Sequence, residues 1–157
     1  MILRSLTLLA LCALAAPLFA DPPRLDPRGL PGPLVVAGGG QLPDDARKAF
    51  FDLAGKEKAK IVVVPTASAD ADDAAKAESF LKQWKELKPA SVTLLHARDA
   101  KTADDPAFAK PLADATGVWF SGGDQNKLTA AYRGTLVEKE LKKLHARGGV
   151  VGGTSAG

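Results

Sequence analysis

Gly153-Thr154-Ser155-Ala156-Gly157 has the pattern G-x-S-x-G and follows the apolar pair Val150-Val151. A serine set among small residues after a strand is the pattern of a nucleophile elbow, in which a sharp, strained turn lifts the hydroxyl clear of the sheet. The chemistry this offers is acyl transfer, with Ser155 as nucleophile and the N–H of Ala156 directed where a tetrahedral oxyanion would develop. Small residues also build plain turns, so the reading rests on context: the strand before the pentapeptide, the preceding Gly152 and a second glycine pair, Gly122-Gly123.

Gly122-Gly123-Asp124-Gln125 follows another apolar run, Val118-Trp119-Phe120. Glycine there lets main-chain N–H groups approach a substrate closely, which places this turn to supply a second oxyanion donor. Asp124 and Gln125 bring side-chain donors and acceptors to the same rim and are candidate substrate-binding residues. Asp124 reads equally well as the N-cap of the next helix. Gly38-Gly39-Gly40 has neither G-x-G-x-x-G nor G-x-x-x-x-G-K-[ST], so nucleotide binding has little support, and no cofactor or metal is expected. A serine nucleophile needs a general base, and the chain has two histidines. His145 lies in the segment before Val150-Val151, which puts it at the wrong end of that strand. His96 ends another strand and is better placed, but its neighbours Leu95, Ala97 and Arg98 favour a structural role, and neither histidine completes a triad.

The elements that must position these residues alternate along the chain. Leu34-Val35-Val36-Ala37 runs into a glycine turn and a helical segment from Asp44 to Gly55, and Lys60-Ile61-Val62-Val63-Val64 is stopped by Pro65. A helix from about Asp72 to Lys88 follows, with Ala77, Phe80, Leu81, Trp84 and Leu87 at helical spacing. Val92 to Leu95 is a third strand, followed by a polar loop and a short helical piece around Phe108 to Ala113. Val118 to Phe120 is the fourth, and Val150-Val151 the fifth. Thr135 and Glu138 have the spacing of a capping box opening a helix from Leu136 to Ala146. Strands apolar on both faces that alternate with helices predict an α/β fold, an open and mostly parallel sheet with helices on both faces. Right-handed crossovers then gather Gly38–Gly40, Pro65–Ser68, Ser121–Gln125 and Gly153–Gly157 at the carboxyl edge.

Composition bounds the rest. With 157 residues, 46% hydrophobic and 25% charged, the chain suits one globular domain. Residues 1–20 differ: Arg4 is their only charge, an apolar run spans Leu6 to Leu18, and small Ala20 precedes Asp21. This is the layout of a signal peptide cleaved after Ala20, which predicts a secreted or periplasmic protein. The alternative, an uncleaved membrane anchor, is disfavoured by its short length, so no stable membrane association is expected after cleavage. Cys12 lies in that segment, so the mature chain would hold no cysteine, and both disulfides and thiol chemistry are excluded. Without Arg4 there remain 20 basic against 18 acidic residues, too small an excess to point to nucleic acid. Residues 21–33, rich in proline, read as a linker, and 34–157 as the domain.

Taken together, Gly38-Gly39-Gly40, the run from Ile61 to Ser68, Gly122-Gly123-Asp124-Gln125 and Gly149 to Gly157 resemble peptidase family S51, and GGDQ with GGTSAG resembles its cyanophycinase branch. The resemblance covers Leu34 to Gly157. It implies a flavodoxin-like fold similar to the class I glutamine amidotransferases, with serine in place of their nucleophilic cysteine. It further implies Ser155 as nucleophile, Gly123 and Ala156 as oxyanion donors, and Gln125 contacting the aspartyl part of cyanophycin or of an isoaspartyl peptide. The implied product is β-Asp-Arg dipeptide and the implied assembly a homodimer of the full-length protein. The family's charge-relay histidine and glutamate lie beyond the nucleophile and have no positions here. The chain therefore reads as the N-terminal part of an S51 domain, inactive alone, with its last strand left as an exposed sheet edge. Two alternatives are another S51 aspartyl or isoaspartyl dipeptidase and a non-catalytic binding protein on the same fold.

Overall fold

The computed structural model describes residues 29–157, so the segment read as a signal peptide, and most of the linker, lie outside the described residues. Five strands, β1 (Leu34–Ala37), β2 (Lys60–Val64), β3 (Ser91–Leu94), β4 (Gly117–Phe120) and β5 (Val150–Thr154), form one sheet in the order β1-β5-β4-β2-β3. Every pairing is parallel. The helices are α1 (Asp44–Leu53), α2 (Ala77–Lys85), α3 (Ala100–Ala103), α4 (Pro106–Ala109), α5 (Gln125–Tyr132) and α6 (Leu136–Ala146).

β2 shows why the sheet has two helical layers. Its side chains from Ile61 to Val64 are all buried, and alternation sends Ile61 and Val63 to one face and Val62 and Val64 to the other. Ile61 and Val63 join Phe50 and Phe51 of α1 and Trp84 of α2. Val62 and Val64 join Ala103, Ala109, Tyr132, Val137 and Leu144 from α3 to α6. The first layer centres on Phe50, Trp84 and Trp119, whose rings meet at centroid separations of 5.0 to 5.1 Å. Edge contacts of this kind contribute about 0.5–1.5 kcal/mol per pair beyond area burial.

The topology explains which helix lies where. From β1 to β2 to β3 the chain moves toward one edge with α1 and α2 on one face, and it then returns through β4 to β5 with α3 to α6 on the other. Reversing direction exchanges the face, as crossovers of one hand require. Strands β3-β2-β4-β5 follow the flavodoxin-like order, with β1 added beyond β5, so the α/β fold read from the sequence is the one observed. The order reverses between β2 and β4, and the crevice beyond the carboxyl ends of the strands at such a switch point is where open α/β sheets bind ligands.

Several expectations need correction. The last strand is interior: β5 lies between β1 and β4, with Val36 opposite Gly153 and Phe120 opposite the same residue. Among the described residues the edge strands are β1 and β3, and Leu34 and Val36 of β1 are exposed; β1 is an edge because the chain skips two strand positions in passing from β1 to β2, which β4 and β5 later fill. The helix expected from Asp72 to Lys88 is instead two 3-10 turns, Ala69–Asp72 and Ala74–Lys76, followed by α2. Ser68 and Asp73 cause this by accepting the N–H groups of Asp70 and Ala75, which starts the backbone afresh twice. The polar loop after β3 contains α3, capped by Asp99. The piece around Phe108 to Ala113 is α4 and a 3-10 turn at Lys110–Leu112, interrupted at Pro111. The Thr135–Glu138 capping box does not form: Thr135 donates its hydroxyl to the Tyr132 carbonyl, Glu138 accepts from Gly134, and the Leu136 N–H is capped by Asp104 from across the fold.

Candidate functional site at the carboxyl edge

The site begins with the strand that delivers Ser155. β5 continues through Gly152 and Gly153 to Thr154, flanked by β1 and β4, so the serine leaves from an interior strand of the sheet. Gly152 is needed there because a Cβ would lie 2.5 Å from the Trp119 ring and 3.0 Å from Phe50. Ser155 itself has φ +52°, a left-handed conformation that costs a non-glycine residue about 1–3 kcal/mol. The turn is held at both ends: Ser155 N–H donates to the Ala37 carbonyl at 3.1 Å and Gly157 N–H to that of Thr154 at 2.8 Å. The side chain is exposed.

The other loops close around it. A Cβ on Gly39 would lie 3.9 Å from Ser155 Oγ, and one on Gly122 would lie 3.1 Å from Ser155 Cβ, so the loops after β1 and β4 flank the serine. Gly122 N–H donates to Thr154 Oγ1 at 3.1 Å, which ties the β4 loop to the elbow. Gly123 has φ +144°, and a Cβ there would lie 2.1 Å from the Ala67 carbonyl oxygen, so only glycine fits between the loops after β2 and β4. Among the described residues the N–H groups of Gly123 and Ala156 donate to no acceptor. Asp124 caps α5 by accepting the Asn126 N–H at 2.9 Å, and Gln125 is exposed at the first helical position. Ser155, Ala156, Gly123 and Asp124 thus lie on two adjacent loops, and Gln125 opens the helix that follows one of them.

The histidines are engaged elsewhere. His145 Nε2 is 2.9 Å from the Gly32 carbonyl oxygen at the amino edge. His96 Nδ1 meets Thr66 Oγ1 and its Nε2 meets Asp72 Oδ1, both at 2.9 Å. The buried Thr66 hydroxyl also bonds Tyr132 at 2.6 Å, and that phenol accepts the Ala97 N–H. Burial raises the Tyr132 hydroxyl above its ordinary pKa and keeps it protonated. Arg98 grips both oxygens of Asp72 and, on its other side, the carbonyls of Thr66 and Ser68. Hydrogen bonds from Arg98, then His96, lower the Asp72 pKa to about 2. Sequence reasoning missed this cluster apart from His96. Thr66, Asp72, Arg98 and Tyr132 come from separate loops and a helix end, and no local pattern joins them. The groove lined by Lys60, Ser91, Thr93, Lys110 and Asp114 lies at the opposite edge and takes no part in the site.

An open α/β sheet that presents a left-handed serine beside a glycine turn defines the structural class. Peptidase family S51 matches residues 34–157, and the chain belongs to that family. It is 30% identical over 129 residues to cyanophycinases of Trichormus variabilis and of a Nostoc species, covering 79% of this chain and 42% of each relative. A Synechococcus elongatus cyanophycinase is 31% identical over 109 residues, covering 69% of this chain and 33% of that protein. The chain therefore spans less than half the length of these relatives. The crystal structure of a peptidase from an acI-B1 Actinobacterium superposes with a TM-score of 0.67 at 24% identity, over 80% of this chain and 55% of that one, which establishes likeness of fold.

Proposed function

We propose that this chain carries the nucleophile of an exported, cyanophycinase-type serine peptidase. In this reading Ser155 Oγ attacks a peptide carbonyl, the N–H groups of Gly123 and Ala156 hold the tetrahedral oxyanion, and expulsion of the amine leaves an acyl-enzyme on Ser155 that water then hydrolyses. The observation that carries it is the left-handed φ of +52° at an exposed Ser155, at the end of an interior strand. Such strain persists where the surroundings impose it, and it aims the hydroxyl away from the backbone. Gln125, with Asp124 beside it, contacts the aspartyl part of the substrate. Cyanophycin is proposed as that substrate because the relatives named above, 30–31% identical to this chain, are cyanophycinases.

The general base does not come from His96, whose two ring nitrogens are both bonded, nor from His145, whose Nε2 is bonded at the opposite, amino edge of the sheet. The sequence holds no third histidine, so the 157 residues alone are expected to be inactive. The test uses the full-length protein carrying this chain, with cyanophycin as substrate. Release of β-Asp-Arg is expected, and Ser155→Ala should lower it at least about a thousandfold. Cleavage of aspartyl dipeptides without β-Asp-Arg release would replace cyanophycin by another substrate within the family, and undiminished turnover by Ser155→Ala would overturn the serine mechanism. Intact mass of the exported protein, expected to begin at Asp21, checks the export reading.

A further inference from the structure

We infer that Arg98 is a positioning residue for the oxyanion turn, acting through the loop after β2. The inference rests on the reading of Gly123 as an oxyanion donor. In Pro65-Thr66-Ala67-Ser68 the Ser68 N–H closes on the Pro65 carbonyl at 2.7 Å. The next three carbonyls are divided: those of Thr66 and Ser68 accept from the Arg98 guanidinium, while that of Ala67 accepts the Asp124 N–H at 2.9 Å. One side chain thereby sets the peptide units on either side of the carbonyl that touches the Gly122–Gly123 turn. Gly123 has no slack against that carbonyl, since the space its Cβ would occupy lies 2.1 Å from the oxygen.

Arg98 is itself fixed. Its Nε lies 3.0 and 2.9 Å from the two Asp72 oxygens and its Nη2 2.8 Å from Oδ2, while His96 Nε2 holds Oδ1 at 2.9 Å and anchors through Nδ1 to the buried Thr66. The planar fork of arginine satisfies the carboxylate and two carbonyls together, which the single ammonium of lysine cannot. Along the carboxyl edge, Asp72 thus holds Arg98, Arg98 holds the Thr66 and Ser68 carbonyls on either side of Ala67, the Ala67 carbonyl accepts the Asp124 N–H next to Gly123, and Gly122 is tied to the elbow. Misplacement of a reacting or stabilising group by about 1 Å costs on the order of a hundredfold in rate, so a residue that only holds a carbonyl has kinetic reach.

The experiment compares Arg98→Ala, Arg98→Lys and Ser155→Ala in the full-length protein with cyanophycin. For Arg98→Ala, kcat is expected to fall about ten- to a hundredfold with KM within about threefold, because the oxyanion donor acts in the transition state and not in substrate binding. Low concentrations of free guanidinium should restore part of that loss in Arg98→Ala, with no gain in Ser155→Ala. Arg98→Lys should recover less than guanidinium does. An unchanged kcat in Arg98→Ala, or a loss confined to KM, overturns the inference. If Arg98→Ala does not fold, Asp72→Asn carries the test: a lower kcat at constant KM supports the inference and an unchanged kcat overturns it. Turnover that survives Ser155→Ala instead overturns the underlying reading, so the two failures are separable.

Discussion

At the scale of single residues, Ser155 combines a left-handed backbone with an exposed hydroxyl, and these two properties have opposite consequences for stability and function. Glycine accepts φ +52° without steric cost but has more unfolded-state entropy to lose. Ser155→Gly is therefore expected to raise stability by up to about 1 kcal/mol, whereas Ser155→Ala keeps the strained φ and should leave it nearly unchanged. Both variants lose the nucleophile, so chemical denaturation separates strain from chemistry. Equal midpoints for the two would mean that the elbow is not strained. The serine and its glycines were legible in the sequence because five consecutive residues carry the pattern. Arg98 and Asp72 were not, since they lie 26 positions apart and meet only through tertiary folding.

At the scale of elements, the helices and strands impose size limits that the glycines record. Gly152 lies in β5 beneath the Trp119 ring, and Ala at this position would put its Cβ 2.5 Å from that ring. Both Trp119 and Phe50 are in the core, so Gly152→Ala is expected to destabilise the fold by about 1–3 kcal/mol. Gly38→Ala meets nothing within 4 Å and should stay within about 0.5 kcal/mol of the parent. Equal urea midpoints for Gly152→Ala and the parent would refute the packing argument. The first four strands were legible to within a residue, from their apolar and β-branched runs, whereas β5 runs three residues past Val151 through two glycines. The segment from Ala69 to Lys85 was less so: its helical apolar spacing was correct, but Ser68 and Asp73 capture backbone N–H groups locally and break its first turns into 3-10 pieces.

At the scale of the whole molecule, strand order decides what faces water. Among the described residues β1 is an edge strand, and Val36 on it is 86% exposed, so β1 is a template for pairing with another chain. A charge there should oppose such pairing. Val36→Lys is expected to lower self-association of the 157-residue chain in sedimentation while moving its stability by no more than about 0.5 kcal/mol. Unaltered self-association would place the sticky surface elsewhere.

Local chemistry in the sequence determined the alternation of strands and helices, the turn around Ser155 and the gathering of strand-to-helix loops on one edge. These follow from side-chain periodicity, from the sizes of neighbouring residues and from the common hand of the crossovers. Tertiary structure alone decided that β5 is interior and β1 an edge, because strands buried on both faces carry no mark of their neighbours. It alone decided, too, that His96 is committed to Thr66 and Asp72, and that Arg98 reaches the loop beside Gly123. Those contacts join loops distant along the chain, and the spacing of residues within any one segment cannot encode them.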